Sequence, residues 1–142
     1  MRLWHQSLLP YLPRQQLLGQ HRECCALRGK GWGKKHSVVN YVFEHPYKDL
    51  YAYHCIVMNE MEKRRFTPGK EWFDPTYRGR ILKKEYPLFF FGVDMEKGVF
   101  PEKMYHLIIE SDDPIYPEHD GAYLKECLEN LKRKGIVISI EY

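Results

Sequence analysis

Leu50, His54, Val57, Met58 and Met61 recur at i, i+4, i+7, i+8 and i+11, the spacing that lines five side chains along one stripe of an α-helix. A stripe of that length at the centre of a chain needs apolar surface to cover it, and the flanking sequence offers more helices. Pro13 suits the first turn of a helix running to about Leu27, because the N–H it lacks has no intrahelical partner there. Leu17, Leu18, His21, Cys24 and Cys25 share one stripe of that helix. The segment Arg28-Gly-Lys-Gly-Trp-Gly-Lys-Lys35 ends it with three glycines in five residues. A second helical stretch is expected over about 36–43. A last one follows Pro117-Glu-His-Asp120, with Tyr123, Leu124, Cys127, Leu128 and Leu131 on one face and Gly135 as its stop. Residues 67–80 read as a loop ordered by Trp72, Phe73 and Tyr77. Leu88–Phe91 and Tyr105–Ile109 are short apolar runs, read as strands in preference to buried helix. The expected fold is mainly α, a single compact helical domain over residues 1–142, with room for short strands in its C-terminal third.

Composition agrees with one core: 142 residues, 44% hydrophobic and 15% aromatic, is the size and make-up of one domain. Apolar runs such as Leu88–Phe91 fall far short of the ~20 residues of a membrane helix, and Met1–Leu9 is too short and polar for a signal peptide. A soluble, cytoplasmic monomer without membrane contact is expected. Cys24, Cys25, Cys55 and Cys127 lack the CxxC spacing of zinc sites and the pattern of a secreted disulfide framework, so reduced and mostly buried thiols are expected.

Charge divides the chain. Of its 22 basic and 19 acidic residues, the first 36 positions hold seven cations (Arg2, Arg14, Arg22, Arg28, Lys30, Lys34 and Lys35) and a single acid, Glu23. The remainder holds 15 basic and 18 acidic residues, so a net charge of +3 conceals a cationic N-terminal third. One-sided basic surface of this kind suits nucleic acid or another phosphate polymer. Glu23 projects roughly 160° from the middle of its helix's apolar stripe, beside Gln16, Gly19 and Ala26, at ~100° per residue. It is expected to face away from the core, on a surface that two small residues leave open to a bulky ligand. A lone acid in a cationic field is a candidate for proton transfer on a polyanion.

The glycine-rich basic loop lacks the spacing and the hydroxyl of a phosphate-binding Walker loop, so its backbone N–H groups and Lys30, Lys34 and Lys35 suit a DNA or RNA backbone better. Trp32 can stack on bases or wedge between them, the alternative being packing on the core. No HExxH and no Gly-x-Ser-x-Gly occurs; His21 with Cys24 or Cys25 offers at most two metal ligands on one face, and no metal or organic cofactor is expected. Arg78 and Arg80 either touch phosphate or pair with Asp74 or Glu71. Two rival readings use the same residues: a non-catalytic nucleic-acid-binding protein on the same basic face, and a protein-interaction or toxin-like RNA-cleaving domain with His21 and His36 as acid and base.

The run Gln15-Gln-Leu-Leu-Gly-Gln-His-Arg-Glu23 resembles the helix of the pyrimidine-dimer DNA glycosylase (phage endonuclease V) family, in which a Gln precedes a Leu-Met-Ala-Glu-Tyr-Arg-Glu run ending in the catalytic glutamate. Arg22 and Glu23 match without a gap, and the opening Met-Arg-Leu is similar to the family's Thr-Arg-Ile. Weaker likeness continues through the Gly-rich turn, His-Ser-Val-Val-Asn-Tyr, Lys-Arg-Arg-Phe66 and Tyr77-Arg-Gly79. It covers about residues 1–80, leaving 81–142 as an extension whose C-terminal helix is expected to pack on the same core. The resemblance implies a small helical enzyme that cuts the glycosidic bond at a damaged pyrimidine in double-stranded DNA and then nicks the strand as an apurinic/apyrimidinic lyase. It implies an α-amine nucleophile, here expected on Met1 because Arg2 is too large for the usual removal of the initiator. It also implies proton transfer by Glu23, with phosphates and bases held by Arg2, Arg14, Gln15, Arg22, Arg28, Lys30, Trp32, Lys34 and Lys35.

Overall fold

A computed structural model describes residues 2–35, 38–80, 82, 89–90, 93–94, 101–111 and 113–139. The chain is mainly helical. A 3₁₀ turn, Gln6–Tyr11, leads into α1 (Arg14–Arg28), followed by α2 (Asn40–Glu44), α3 (Tyr47–Lys63), a 3₁₀ turn Lys70–Phe73, α4 (Pro101–Glu110) and α5 (Gly121–Arg133). Phe89–Phe90 (β1) and Val93–Asp94 (β2) form a two-residue antiparallel pair, Phe89 opposite Asp94 and Phe90 opposite Val93.

Local chemistry sets the helix ends. Pro13 stands immediately before α1, and its carbonyl accepts from Leu17 N at 3.0 Å. At the other end Gly29 N–H bonds Cys25 O at 3.0 Å and Gly31 N–H reaches back to Ala26 O at 2.9 Å, so the loop folds over the last turn. A Cβ at Gly31 would stand 2.7 Å from that Ala26 oxygen, which leaves glycine as the residue that fits. Helix α3 closes in the same manner through Phe66 N–H to Met61 O, with Arg65 at φ 65° in the left-handed region. Asp120 caps α5, its Oδ1 accepting from Tyr123 N at 2.8 Å, and Gly135 at φ 82° ends it.

The stripe on α3 is buried as the periodicity predicts, and so are Tyr51, Ala52, Tyr53 and Cys55, because α3 is covered on several sides. Leu50, Tyr53, Val57 and Met61 belong to one cluster with Leu3, Leu8, Leu9 and Leu12 from the N-terminal segment, Leu17, Cys24 and Leu27 from α1, and Leu124, Cys127 and Leu131 from α5. A second cluster joins Tyr51, Cys55 and Met58 to Met104 and Tyr105 of α4, with Trp72 and Phe73 packed against it.

Two expectations change and a third is met where the chain is described. Tyr105–Ile109 is helical, with Tyr105 buried against α3 and Leu107 exposed; a five-residue apolar run fits either period, and Pro101 at the first helical position was the signal for helix. The stretch expected over 36–43 is helical only from Asn40, residues 38–39 forming a turn and 36–37 lying outside the described residues. Of the other expected strand, Phe89–Phe90 is paired, while Leu88 and Phe91 lie outside the described residues. Among the described residues no helix is long and apolar enough to cross a membrane.

Candidate active site

Residues 2–4 run as extended backbone between α1, α3 and α5, and side chains hold nearly every polar group of that segment. Arg2 N–H donates to Glu23 Oε2 at 2.8 Å. Gln20, one turn earlier on α1, makes a double clasp: its Nε2 donates to Arg2 O at 2.9 Å and its Oε1 accepts from Trp4 N at 2.7 Å. Tyr53 on α3 donates to Trp4 O at 2.5 Å, and Tyr123 on α5 donates to Leu3 O at 2.6 Å. Gln20 and Tyr53 are almost fully buried, and buried polar groups held this way keep one geometry, because each lost bond would leave an unsatisfied partner costing ~1–3 kcal/mol.

Glu23 therefore does not project freely from the helix. It is half-buried, bound to the backbone of Arg2, with Gln20 Nε2 at 3.5 Å. Helical geometry gave its direction correctly as off the core stripe. What covers it is the chain's own N-terminal segment, and the space left by Gly19 is bordered by Arg22, whose terminal nitrogen would lie 3.7 Å from a Cβ there.

The cations divide into two groups. Arg14 and Gln15 are exposed and, with Leu18 and Arg22, line a surface depression of about 360 Å³ on α1. Lys30, Lys34 and Lys35 are exposed on the loop that follows. Arg2 turns inward: its guanidinium is 3.9 Å from Glu126 of α5 and 5.6 Å from the Trp4 ring.

Arg28, expected on phosphate, is completely buried and must be reassigned. All five of its N–H donors are used within the protein: Nε on Tyr47 Oη at 2.9 Å, one terminal nitrogen on His54 Nδ1 and Trp72 O, the other on Asp74 O and Tyr77 O. Its plane lies between Tyr51 and Trp72, 5.1 and 5.0 Å from their ring centres. A planar fork with five fixed donors can satisfy converging carbonyls in a way a lysine cannot. Trp32 is likewise turned in, edge-on to Phe43 and Tyr47 at 5.2 Å, so its ring packs rather than awaiting a base. Arg78 is buried, stacks 4.2 Å from the Tyr47 ring and donates to the Arg28 carbonyl, so it is turned inward instead of offered to phosphate.

His21, Cys25 and His54 bring three potential ligand atoms within 4.8 Å of one another. Arg28 decides their use. A guanidinium only donates, so His54 Nδ1 accepts, His54 Nε2 carries the ring proton, and that N–H donates to His21 Nδ1 at 2.8 Å. Burial, then the Arg28 charge, holds His54 far below the ordinary histidine range, which keeps this neutral tautomer in place. Burial also pushes the Cys25 thiol up to about 12, so no thiolate is at hand. A metal at this trio would have to displace the proton from a ring whose other nitrogen already faces a cation. His21 is committed to this interior chain, which removes it from the acid–base pairing with His36; His36 itself lies outside the described residues.

Gln20, Tyr53 and Tyr123 escaped the sequence reading. Gln20 carries one available signal, its place three residues before Glu23 and so on the adjoining ridge of α1. Nothing local marks Tyr123, whose partner is 120 positions away.

No curated protein and no solved structure matches the chain. A family model described as pyrimidine dimer DNA glycosylase matches residues 1–74, more than half of the chain and the part containing the threaded segment, Gln20, Glu23 and the exposed cations. The chain belongs to the pyrimidine dimer DNA glycosylase family, enzymes of DNA repair that bind damaged DNA.

Proposed function

We propose that the protein acts on damaged double-stranded DNA as a glycosylase and apurinic/apyrimidinic lyase, with the α-amine of Met1 as nucleophile and Glu23 as the group that moves protons at the sugar. One observation carries this reading: the 2.8 Å bond from Arg2 N to Glu23 Oε2. That backbone nitrogen is three covalent bonds from the α-nitrogen of residue 1, a separation that cannot exceed about 4 Å. An α-amine, with a pKa of ~7.7–8.0, is roughly a tenth neutral at pH 7, so it is a nucleophile where a lysine is not.

The amine forms a bond to the deoxyribose C1′ as it loses a proton, and the base departs with the pair of its glycosidic bond. Opening of the sugar ring leaves an iminium. Glu23 takes the C2′ proton, the freed pair moves toward the iminium, the C3′–oxygen bond breaks, and water later hydrolyses the imine to release the amine. The exposed residues Arg14, Gln15, Arg22, Lys30, Lys34 and Lys35 hold the flanking phosphates while the target leaves the stack.

Borohydride reduces an imine to a stable amine. Treating the protein with ultraviolet-irradiated duplex and borohydride should yield a cross-link that mass spectrometry maps to residue 1, with little on untreated duplex. An uncleaved N-terminal tag should abolish both cross-link and nicking. A cross-link on an internal lysine such as Lys30, or full activity in the extended protein, would overturn the mechanism. Binding without any cross-link would favour the non-catalytic reading.

A further inference from the structure

The family match ends at residue 74, yet one of the groups holding the N-terminal segment comes from beyond it. Tyr123 Oη bonds that segment at Leu3, and the same stretch of chain is bonded again at Gln6 through His119. Gln6 N–H donates to His119 Nδ1 at 3.1 Å, which fixes the ring's proton on Nε2. That proton faces the Tyr41 hydroxyl at 2.7 Å. His119 in turn stacks on Tyr123, ring centres 5.2 Å apart, and Tyr123 donates to Leu3 O at 2.6 Å. Burial pushes His119 down to about 3, and the ring stays neutral through the physiological range.

Other parts of the molecule reinforce this link. Glu126, one turn after Tyr123, faces Arg2, and Gln6 Oε1 accepts from Ile115 N at 3.0 Å. Asp120 caps α5 through the Tyr123 amide itself, which fixes where the tyrosine leaves the helix. The N-terminal segment thus has two walls, α1 and α3 within the matched residues and α5 outside them.

We propose that Tyr123 is a positioning residue for the reaction: by fixing the Leu3 carbonyl from the far side, its hydroxyl sets where the α-amine of residue 1 stands relative to Glu23. This rests on the Schiff-base reading above. Without the Tyr123 bond, Gln20 and Tyr53 still hold Arg2 and Trp4, so the segment stays in place but gains freedom about Leu3. A reacting nitrogen is sensitive to such freedom, since a displacement of ~1 Å can cost ~10²-fold in rate. DNA affinity is not, because the exposed cations are on α1 and its following loop.

The test compares the wild-type protein with Tyr123→Phe and a control, Tyr105→Phe, which deletes a hydroxyl bonded to Glu62 at 2.9 Å in the second hydrophobic cluster. Three quantities are measured: the single-turnover rate of borohydride trapping on a duplex with one abasic site, the equilibrium Kd for that duplex, and Tm. Tyr123→Phe should slow trapping ~10-fold or more while Kd changes less than ~2-fold. Tyr105→Phe should keep the wild-type rate whatever its Tm. Trapping by Tyr123→Phe at the wild-type rate, or an equal loss in Tyr105→Phe, overturns the proposal while leaving the Schiff-base reading intact. No trapping by the wild-type protein overturns both.

Discussion

Replacing Arg28 with Met separates two roles that a cation near a helix end can play. The side chain is fully buried and its five N–H groups meet five acceptors, three of them backbone carbonyls of residues 72, 74 and 77. Met fills much of the volume and removes the burden of keeping a charge out of water, worth several kcal/mol. Against that, five acceptors lose their partners at ~1–3 kcal/mol each where no water can reach them, and the stacking on Tyr51 and Trp72 is lost. The balance is a destabilisation of about 3–5 kcal/mol, a large share of the ~5–15 kcal/mol that holds a domain together. For a chain of this size it should lower Tm by roughly 10–20 °C. Calorimetry or urea unfolding reads that loss. Salt-dependent binding to duplex DNA, measured well below the new Tm, should keep the wild-type log-log slope, because Arg28 touches no phosphate. A Tm within ~2 °C of wild type, or a slope shallower by about one unit, would refute the buried role.

Glu23→Gln retains the shape and an acceptor for Arg2 N–H but lacks the carboxylate that takes the C2′ proton, so strand cleavage should fall by ~10² or more with DNA affinity preserved; nicking at the wild-type rate would remove Glu23 from the chemistry. Five exposed cations, Arg14, Arg22, Lys30, Lys34 and Lys35, predict a salt slope of about −4 to −5, and the double change Lys34→Ala with Lys35→Ala should flatten it by about two units, a result that a salt titration of fluorescence anisotropy would confirm or contradict. Acid should destabilise the fold from about pH 6.5 downward. His119 binds its proton near pH 3 in the folded state against 6.5 unfolded, so the unfolded chain takes it up first, and the stability present above pH 6.5 drains away as pH falls toward 3. Between pH 7 and pH 5 the loss from His119 alone is about 2 kcal/mol, with buried His5 and His54 and half-buried His21 shifted in the same direction; a urea midpoint unchanged over that interval would contradict it.

The helices that carry the site were legible because their signals are local. Pro13, the glycines after Arg28 and the 3.6-residue stripes on α1, α3 and α5 need no knowledge of distant chain. Glu23 stands out in the sequence by contrast, one acid among seven cations. Arg28 was misread for a corresponding reason: charge suggests exposure, and nothing near it in sequence reveals that Tyr47, Tyr51, His54 and Trp72 will converge to solvate a guanidinium inside. Trp32 was open between stacking on a base and packing on the core, and its aromatic neighbours decide for the core. The groups that hold residues 2–4 lie 16 to 120 positions from their partners, and side-chain periodicity carries no information at that range.

The bond from Tyr123 to Leu3 also orders events in time. Residues 2–4 are synthesised well before the helix that closes over Leu3, and at ~5–20 residues per second the 120 intervening positions take roughly 6–24 s to appear. Throughout that interval the Leu3 carbonyl lacks its partner, and the segment is held only from the side of α1 and α3. A chain stopped short of α5 would carry the family-matched residues without the second wall of their N-terminal segment.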